Sequence, residues 1–186
     1  MEFCTVQHQC EMRERKIILK GKRIKLIPCS VRIAKLIFDE DRDQLSRLLG
    51  AKVPSEWPTQ DTKDIVPLYL SSLEADPEML GWGIWIAIHQ KENTVVGDMG
   101  FKGKPDESGT VEIGYGIIPS YRNNGYATEA AGLLINWAFS HSAVKKVIAE
   151  CLPDHAPSVR VLEKLNMQRT VVEDNMQKWE LTRQGT

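Results

Sequence analysis

The segment 111–127 constrains this chain more than any other. Residues 111–118 form an apolar run of strand length, and an amphipathic helical pattern begins at Ala127. The link between them reads Arg122-Asn123-Asn124-Gly125-Tyr126-Ala127. Gly125 lets that link turn tightly, because glycine reaches positive φ without a steric penalty. A loop of this kind leaves backbone N–H groups free at a helix N-terminus, with the Arg122 guanidinium beside them. Such an arrangement suits a pyrophosphate. Beyond the loop, Ala127, Ala130, Ala131, Leu134, Ile135, Ala138 and Phe139 recur at helical spacing. They predict one buried face, small enough at its start to lie close against a sheet.

The rest of the chain supplies the sheet. Residues 23–28 alternate polar with apolar and read as a first strand. Ser30 is placed to cap a helix over 31–38, and Leu45, Leu48 and Leu49 continue a second helical face to Gly50. Pro54, Trp57 and Pro58 mark 51–59 as a loop, and a third helix runs from Asp61 or Thr62 to about Leu73. Strands are predicted over 82–89, 94–102 and 111–118, with a turn at 106–109. A helix over 127–141, a strand over 146–152, a helix over 157–165 and a terminal strand pair at 170–172 and 177–181 follow. The order is that of an α+β fold, with antiparallel strands first and one parallel crossover embedded. Residues 1–20 read as an N-terminal extension and 21–186 as a single domain.

Bulk properties narrow the function. A formal net charge of −1 offers no basic face for nucleic acid. The basic residues between Arg13 and Lys25 are better read as a solvated edge strand. No apolar run approaches the roughly 18–20 residues that span a bilayer. The first residues lack the apolar core of a secretion signal, so the cytoplasm is the expected location. Cysteines 4, 10, 29 and 151 form no Cys-x-x-Cys pair, as in a reducing compartment. Cys4, His8 and Cys10 have no second ligand pair at zinc spacing, and no metal is expected. Neither a Gly-x-x-x-x-Gly-Lys-Ser/Thr loop nor an early Gly-x-Gly-x-x-Gly is present, which disfavours P-loop and dinucleotide-binding sites.

Two motifs carry a resemblance to a known family. One is Val111-Glu-Ile-Gly-Tyr-Gly-Ile-Ile-Pro-Ser-Tyr-Arg-Asn-Asn-Gly-Tyr-Ala-Thr-Glu-Ala130; the other is Ser158-Val-Arg-Val-Leu-Glu-Lys-Leu165. Together they resemble the GNAT superfamily of acetyl-CoA-dependent N-acetyltransferases, in the branch similar to RimJ/RimL, over about residues 22–183. Two positions depart from that branch: His155 stands where asparagine is usual, and Asn166-Met167 replaces Gly-Phe. Asn166 can supply the left-handed conformation of a glycine at a helix end.

The resemblance implies a mostly antiparallel sheet, splayed at one parallel strand pair and flanked by helices. It implies acetyl-CoA as the donor, with the backbone of Arg122, Asn123, Asn124, Gly125, Tyr126 and Ala127 around the pyrophosphate. Ile117 and Ile118 would run beside the pantetheine arm, and an N–H at about 116–118 would polarise the thioester carbonyl. His155 and Ser158 would border the same arm. Glu112 is the candidate base, on the same strand face as Gly114 and Gly116 by period-two alternation; a salt-bridged rim residue is the plainer reading. No tyrosine follows Tyr126, so Ser158, or else His155, is the candidate acid. Ser158 could equally stabilise its helix start. Trp57, Glu112 and Tyr115 are the candidate acceptor contacts, Trp57 because it sits in a loop next to a proline. Trp82 and Trp85 are more naturally core. The acceptor is then an amine, either a protein N-terminus or a small molecule. A homodimer is compatible with the sequence, and an acyl-CoA-binding sensor with little catalysis is the alternative.

Overall fold

A computed structural model describes residues 17–183. Strands β1 (Leu19–Lys20) and β2 (Ile24–Pro28) lead into helices α1 (Val31–Phe38), α2 (Arg42–Leu49) and α3 (Gln60–Ala75). Strands β3 (Ile84–His89), β4 (Thr94–Phe101) and β5 (Thr110–Ile117) follow, then α4 (Tyr126–Ser140), β6 (Lys146–Cys151), α5 (Ala156–Lys164), β7 (Gln168–Glu173) and β8 (Met176–Thr182). The eight strands form one sheet in the order β1-β2-β3-β4-β5-β6-β8-β7. Every adjacent pair is antiparallel except β5–β6. The expected α+β architecture with a single parallel pair is the one observed. Leu19 and Lys20 pair with Leu26 and Lys25, so the first strand of the sheet lies before residue 21. The possible ligands Cys4, His8 and Cys10 lie outside the described residues.

Strand alternation divides the core into two layers. Trp85, Ala87, Val96, Met99, Val111 and Ile113 pack under α4 and α5. Ile84, Ile86, Ile88 and Val95 pack under α1, α2 and α3 with Trp57 and Tyr69. β3 lies inside the sheet and is buried along its whole length, as strands covered on both faces are. The early face of α4 is buried through Ala130 and Ala131, whose small side chains allow close approach to the strands. No helix among the described residues is long and apolar enough to cross a membrane.

Helix ends follow their sequence signals. Ser30 caps α1 by accepting from the Ile33 amide, and Thr59 does the same for α3 through the Thr62 amide. At the end of α5, Asn166 has φ 58°. The Asn166 amide donates to Glu163 O at 3.0 Å and the Met167 amide to Leu162 O at 3.0 Å. This is the left-handed closure a glycine would provide, sealed by apolar contact between buried Leu162 and Met167.

One polar link ties α4 to the sheet edge. Glu129, in the first turn of α4, accepts from the Arg23 amide at 2.6 Å, the Ile24 amide at 3.1 Å and Arg23 Nε at 2.8 Å. Burial alone would raise its carboxyl pKa, but the Arg23 and Ile24 hydrogen bonds outweigh that and hold it below the usual carboxylate range. A depressed carboxylate contributes stability above its unfolded pKa, and that contribution is lost as pH falls through the lowered folded value. Glu129→Gln is expected to melt about 4–8 °C below the parent protein at pH 7, the shift that roughly 2 kcal/mol produces in a domain of this size. The difference should close as pH is lowered through the acid range. A difference independent of pH would refute the role assigned to the charge.

Candidate active site

The site is built where β5 and β6 part. They pair only through Thr110–Lys146, Val111–Val147 and Glu112–Ile148, after which β6 diverges. Backbone direction along β5 then decides which groups face the gap. Ile118 N–H donates to Val96 O of β4 at 2.9 Å, and Glu112 O accepts from the Lys102 amide at 2.9 Å. Even-numbered residues of β5 therefore direct their backbone groups at β4. Gly109 O, by contrast, accepts from the Lys145 amide at 2.8 Å, on the β6 side. By this alternation the N–H groups of Tyr115 and Ile117 point into the gap. Of the three amides expected to polarise a carbonyl, Ile118 is spent on β4 and Gly116 faces the same way. Ile117 is the one that points correctly.

The loop after β5 has the geometry of an anion cradle. A 3-10 turn at Pro119–Tyr121 leads to Arg122, then Asn123 at φ 62° and Gly125 at φ 77°. Helix α4 starts at Tyr126, and no side chain caps its N-terminus. A side chain at Gly125 would be strained by the left-handed backbone, although its Cβ would only reach ordinary contact, 3.6 Å from Arg23 Nη2. Two guanidinium groups flank the free amides. Arg122 Nε donates to Ile117 O at 2.9 Å, and Arg23 Nη1 donates to Asn124 O at 2.9 Å. The Arg122 amide itself is bound to Pro119 O, so the cradle begins after it. The side chain of Tyr126 is used in packing, with Arg23 stacked 4.8 Å from its ring centre and its hydroxyl 3.2 Å from His89 Nε2. His89 ends β3 and is buried.

Across the gap, His155 Nδ1 lies 2.8 Å from Ser158 Oγ at the start of α5. His155 is the residue before the helix, yet its side chain makes no capping bond. The Tyr115 hydroxyl donates to Ser158 O at 3.4 Å, joining β5 to α5. Burial raises the Tyr115 pKa, so this hydroxyl stays protonated.

The remaining candidates lie on the other face of β5. Glu112 shares that face with Gly114 and Gly116, and a Cβ built on either glycine would meet nothing within 4 Å. Glu112 is not free: Lys102 forms an ion pair with it and with Glu150 at 3.1 Å, and Glu150 also pairs with Lys178. Tyr115 points to the α4 and α5 side, away from Glu112, because adjacent strand residues face opposite ways. Trp57 does not offer a contact surface. It has no exposed area, and its Nε1 donates to Asp98 Oδ2 at 2.6 Å. The loop that carries it is held by Arg42, whose Nη1 donates to Pro54 O at 2.7 Å and Trp57 O at 2.8 Å.

Asp98, Thr62, Arg42 and Arg23 were not evident from spacing. Asp98 had one signal, as the only acid in the strand Val-Val-Gly-Asp-Met-Gly-Phe. It accepts from Thr62 Oγ1 at 2.7 Å as well as from Trp57, and both bonds fall on Oδ2. Burial raises its pKa against the pull of these two hydrogen bonds, and neighbouring Asp61 raises it further. Gly97, just before it, has no room for a side chain, since a Cβ would collide with the Gly116 carbonyl oxygen. That close approach brings β4 hard against β5 at Asp98.

Known proteins share this architecture. The family model described as acetyltransferase (GNAT) domain matches residues 31–168. The uncharacterized N-acetyltransferase YjdG of Bacillus subtilis is 33% identical over 149 residues, which cover 80% of this chain and 88% of that protein. Among solved structures, RimL, a ribosomal L7/L12 alpha-N-protein acetyltransferase, superposes with a TM-score of 0.65 at 13% identity, covering 90% of this chain and 94% of RimL. The microcin C7 self-immunity acetyltransferase MccE, solved with acetyl-CoA and AMP, gives 0.58 at 14% identity, covering 88% and 94%. A splayed β5–β6 pair, an uncapped helix start after Gly125 and these matches have one common reading: the chain belongs to the GNAT acetyltransferase family.

Proposed function

We propose that this protein transfers an acetyl group from acetyl-CoA to a primary amine by direct attack in a ternary complex. The observation that carries the reading is the gap itself. The Ile117 N–H points into it, in line with an anion cradle one short turn further along the chain. Asn123, Asn124, Gly125, Tyr126 and Ala127 would hold the pyrophosphate through main-chain N–H groups. Arg122 would add a charge-assisted hydrogen bond once its Nε leaves Ile117 O. Bound there, acetyl-CoA supplies an electrophilic thioester carbonyl. Ile117 N–H would stabilise the oxyanion, an interaction worth about 3–4 kcal/mol where such donors have been removed.

The acceptor nitrogen attacks the carbonyl carbon, the C–S bond breaks, and the departing sulfur must be protonated. Glu112 is the base of this reading, directly or through water, after Lys102 shifts from it. Ser158, polarised by His155, is the acid. A thiol with a pKa near 8.5 needs little help to leave, so the acid matters less than the base. The acceptor is a protein N-terminal amine or a small molecule, and the fold shared with RimL supports the former. The Lys102–Glu112 ion pair favours a second reading, an acyl-CoA-binding protein with little turnover.

Melting curves with acetyl-CoA, CoA and ATP added separately test the cofactor. A ligand that binds only the native state raises the midpoint according to RT ln(1 + [L]/Kd). Acetyl-CoA and CoA are expected to raise it and ATP to do so far less; no shift with either thioester or thiol would sink the proposal. Gly125→Val should abolish the shift while the protein still folds. Glu112→Gln should keep the shift and lower kcat about 100-fold or more, and Ser158→Ala about 10-fold or less. If acetyl-CoA binds and no amine releases thiol, the second reading holds.

A further inference from the structure

Asp98 is a charged group on the acceptor side of the sheet that the mechanism above leaves unused. It pairs with Gly116 across β4 and β5, so the two residues share a face. The same face continues through Gly100–Gly114, while Lys102 and Glu112 meet in an ion pair further along. The surface over Gly116 and Gly114 is open, since a Cβ at either position meets nothing within 4 Å. One end of this bare strip carries Glu112, already paired with lysine. Four residues away, roughly 13 Å along the strand, the other end carries Asp98.

The two carboxylates differ in how their charge is met. Among the described residues, no lysine, arginine or histidine pairs with Asp98. Neighbouring Asp61 carries a charge of the same sign. Its hydrogen bonds from Trp57 and Thr62 both reach Oδ2, and among the described residues none reaches Oδ1. A half-buried carboxylate without a countercharge is costly, and such groups concentrate where a ligand completes them. A cation over Gly116, next to the residue whose N–H faces the thioester gap, would complete Asp98. Arg42 and Trp57 hold the loop above it in place, so Trp57 and Thr62 act as positioning residues for the carboxylate.

We propose that Asp98 binds the protonated amine of the acceptor, so that the acceptor is a primary aliphatic amine that arrives as its ammonium ion. This rests on the acetyl-transfer reading, and it adds the residue that recognises the second substrate. An ammonium held on Oδ1 stands over the glycine strip, beside the strand that would carry the thioester, and it passes one proton through water along the strip towards Glu112 before the nitrogen attacks. Gly114 and Gly116 leave the approach unobstructed.

The test uses the full chain with saturating acetyl-CoA, thiol release as the readout, and a panel of ethylamine, putrescine, spermidine and glycylglycine. In Asp98→Asn the amide oxygen can still accept from Trp57 and Thr62, so folding is retained and the melting temperature should hold or rise. The KM for the best amine is expected to increase about 30-fold or more, the range for removing one partner of a desolvated charge pair. The melting shift given by CoA should be unchanged. Trp57→Phe should raise the same KM by a smaller factor. Gly116→Val, which covers the strip without altering charge, should raise it comparably and serves alone if Asp98→Asn does not fold. An amine KM that stays at the parent value in Asp98→Asn, or a CoA shift lost together with it, would overturn the assignment in favour of a structural role. So would parent protein that binds CoA but acetylates none of the four amines. Parent protein that fails to bind CoA at all overturns the acetyl-transfer reading, and this inference with it.

Discussion

Strands β5 and β6 are hydrogen-bonded at three successive positions and then separate, and the properties of the site follow from where that pairing ends. A parallel ladder that continued past Glu112 would consume the N–H groups of Tyr115 and Ile117. Because β6 diverges, those groups remain directed at the gap, whereas the alternate amides stay bonded to β4. The sheet thus remains continuous on one side of β5 while its other side is released. Such a strand can stay rigid and still present main-chain donors, which a loop of the same composition could not do with equal precision.

The gap is useful only if its two ends are held. At one end, Glu129 gathers the Arg23 side chain and two β2-side amides, fixing the start of α4 against the sheet. That contact also brings Arg23 to the Asn124 carbonyl, so the link that stabilises the helix shapes the loop before it. At the other end, the Tyr115 hydroxyl reaches Ser158 O and joins β5 to α5 across the opening. Each of these contacts joins residues more than 40 positions apart in the chain.

The readability of individual residues follows the range of the forces that place them. Gly125, Asn166 and Ser30 are governed by backbone conformation and capping within four residues, and each behaves as its local pattern predicts. Glu112 falls on the face given by period-two alternation, yet its pairing with Lys102 depends on strand register and was only one of two open readings. Trp57 is the instructive failure. Its place in a proline-flanked loop makes it a candidate acceptor contact, whereas the ring is buried and donates to a strand 41 residues away. Tyr115 shows the reverse error, since it was grouped with Glu112 although alternation places the two on opposite faces.

The amino-acid sequence by itself determined the order of elements, the α+β class, the turn and uncapped helix start around Gly125, and the family, because these depend on periodicity, capping and short motifs. Only the tertiary structure decided which backbone amide of β5 faces the gap, that Trp57 is core, and that Asp98 is a half-buried carboxylate with no countercharge among the described residues. Those outcomes depend on strand register and on contacts between distant segments. Nothing in a local stretch of sequence states the register, and desolvation of a charge is a property of everything packed around it.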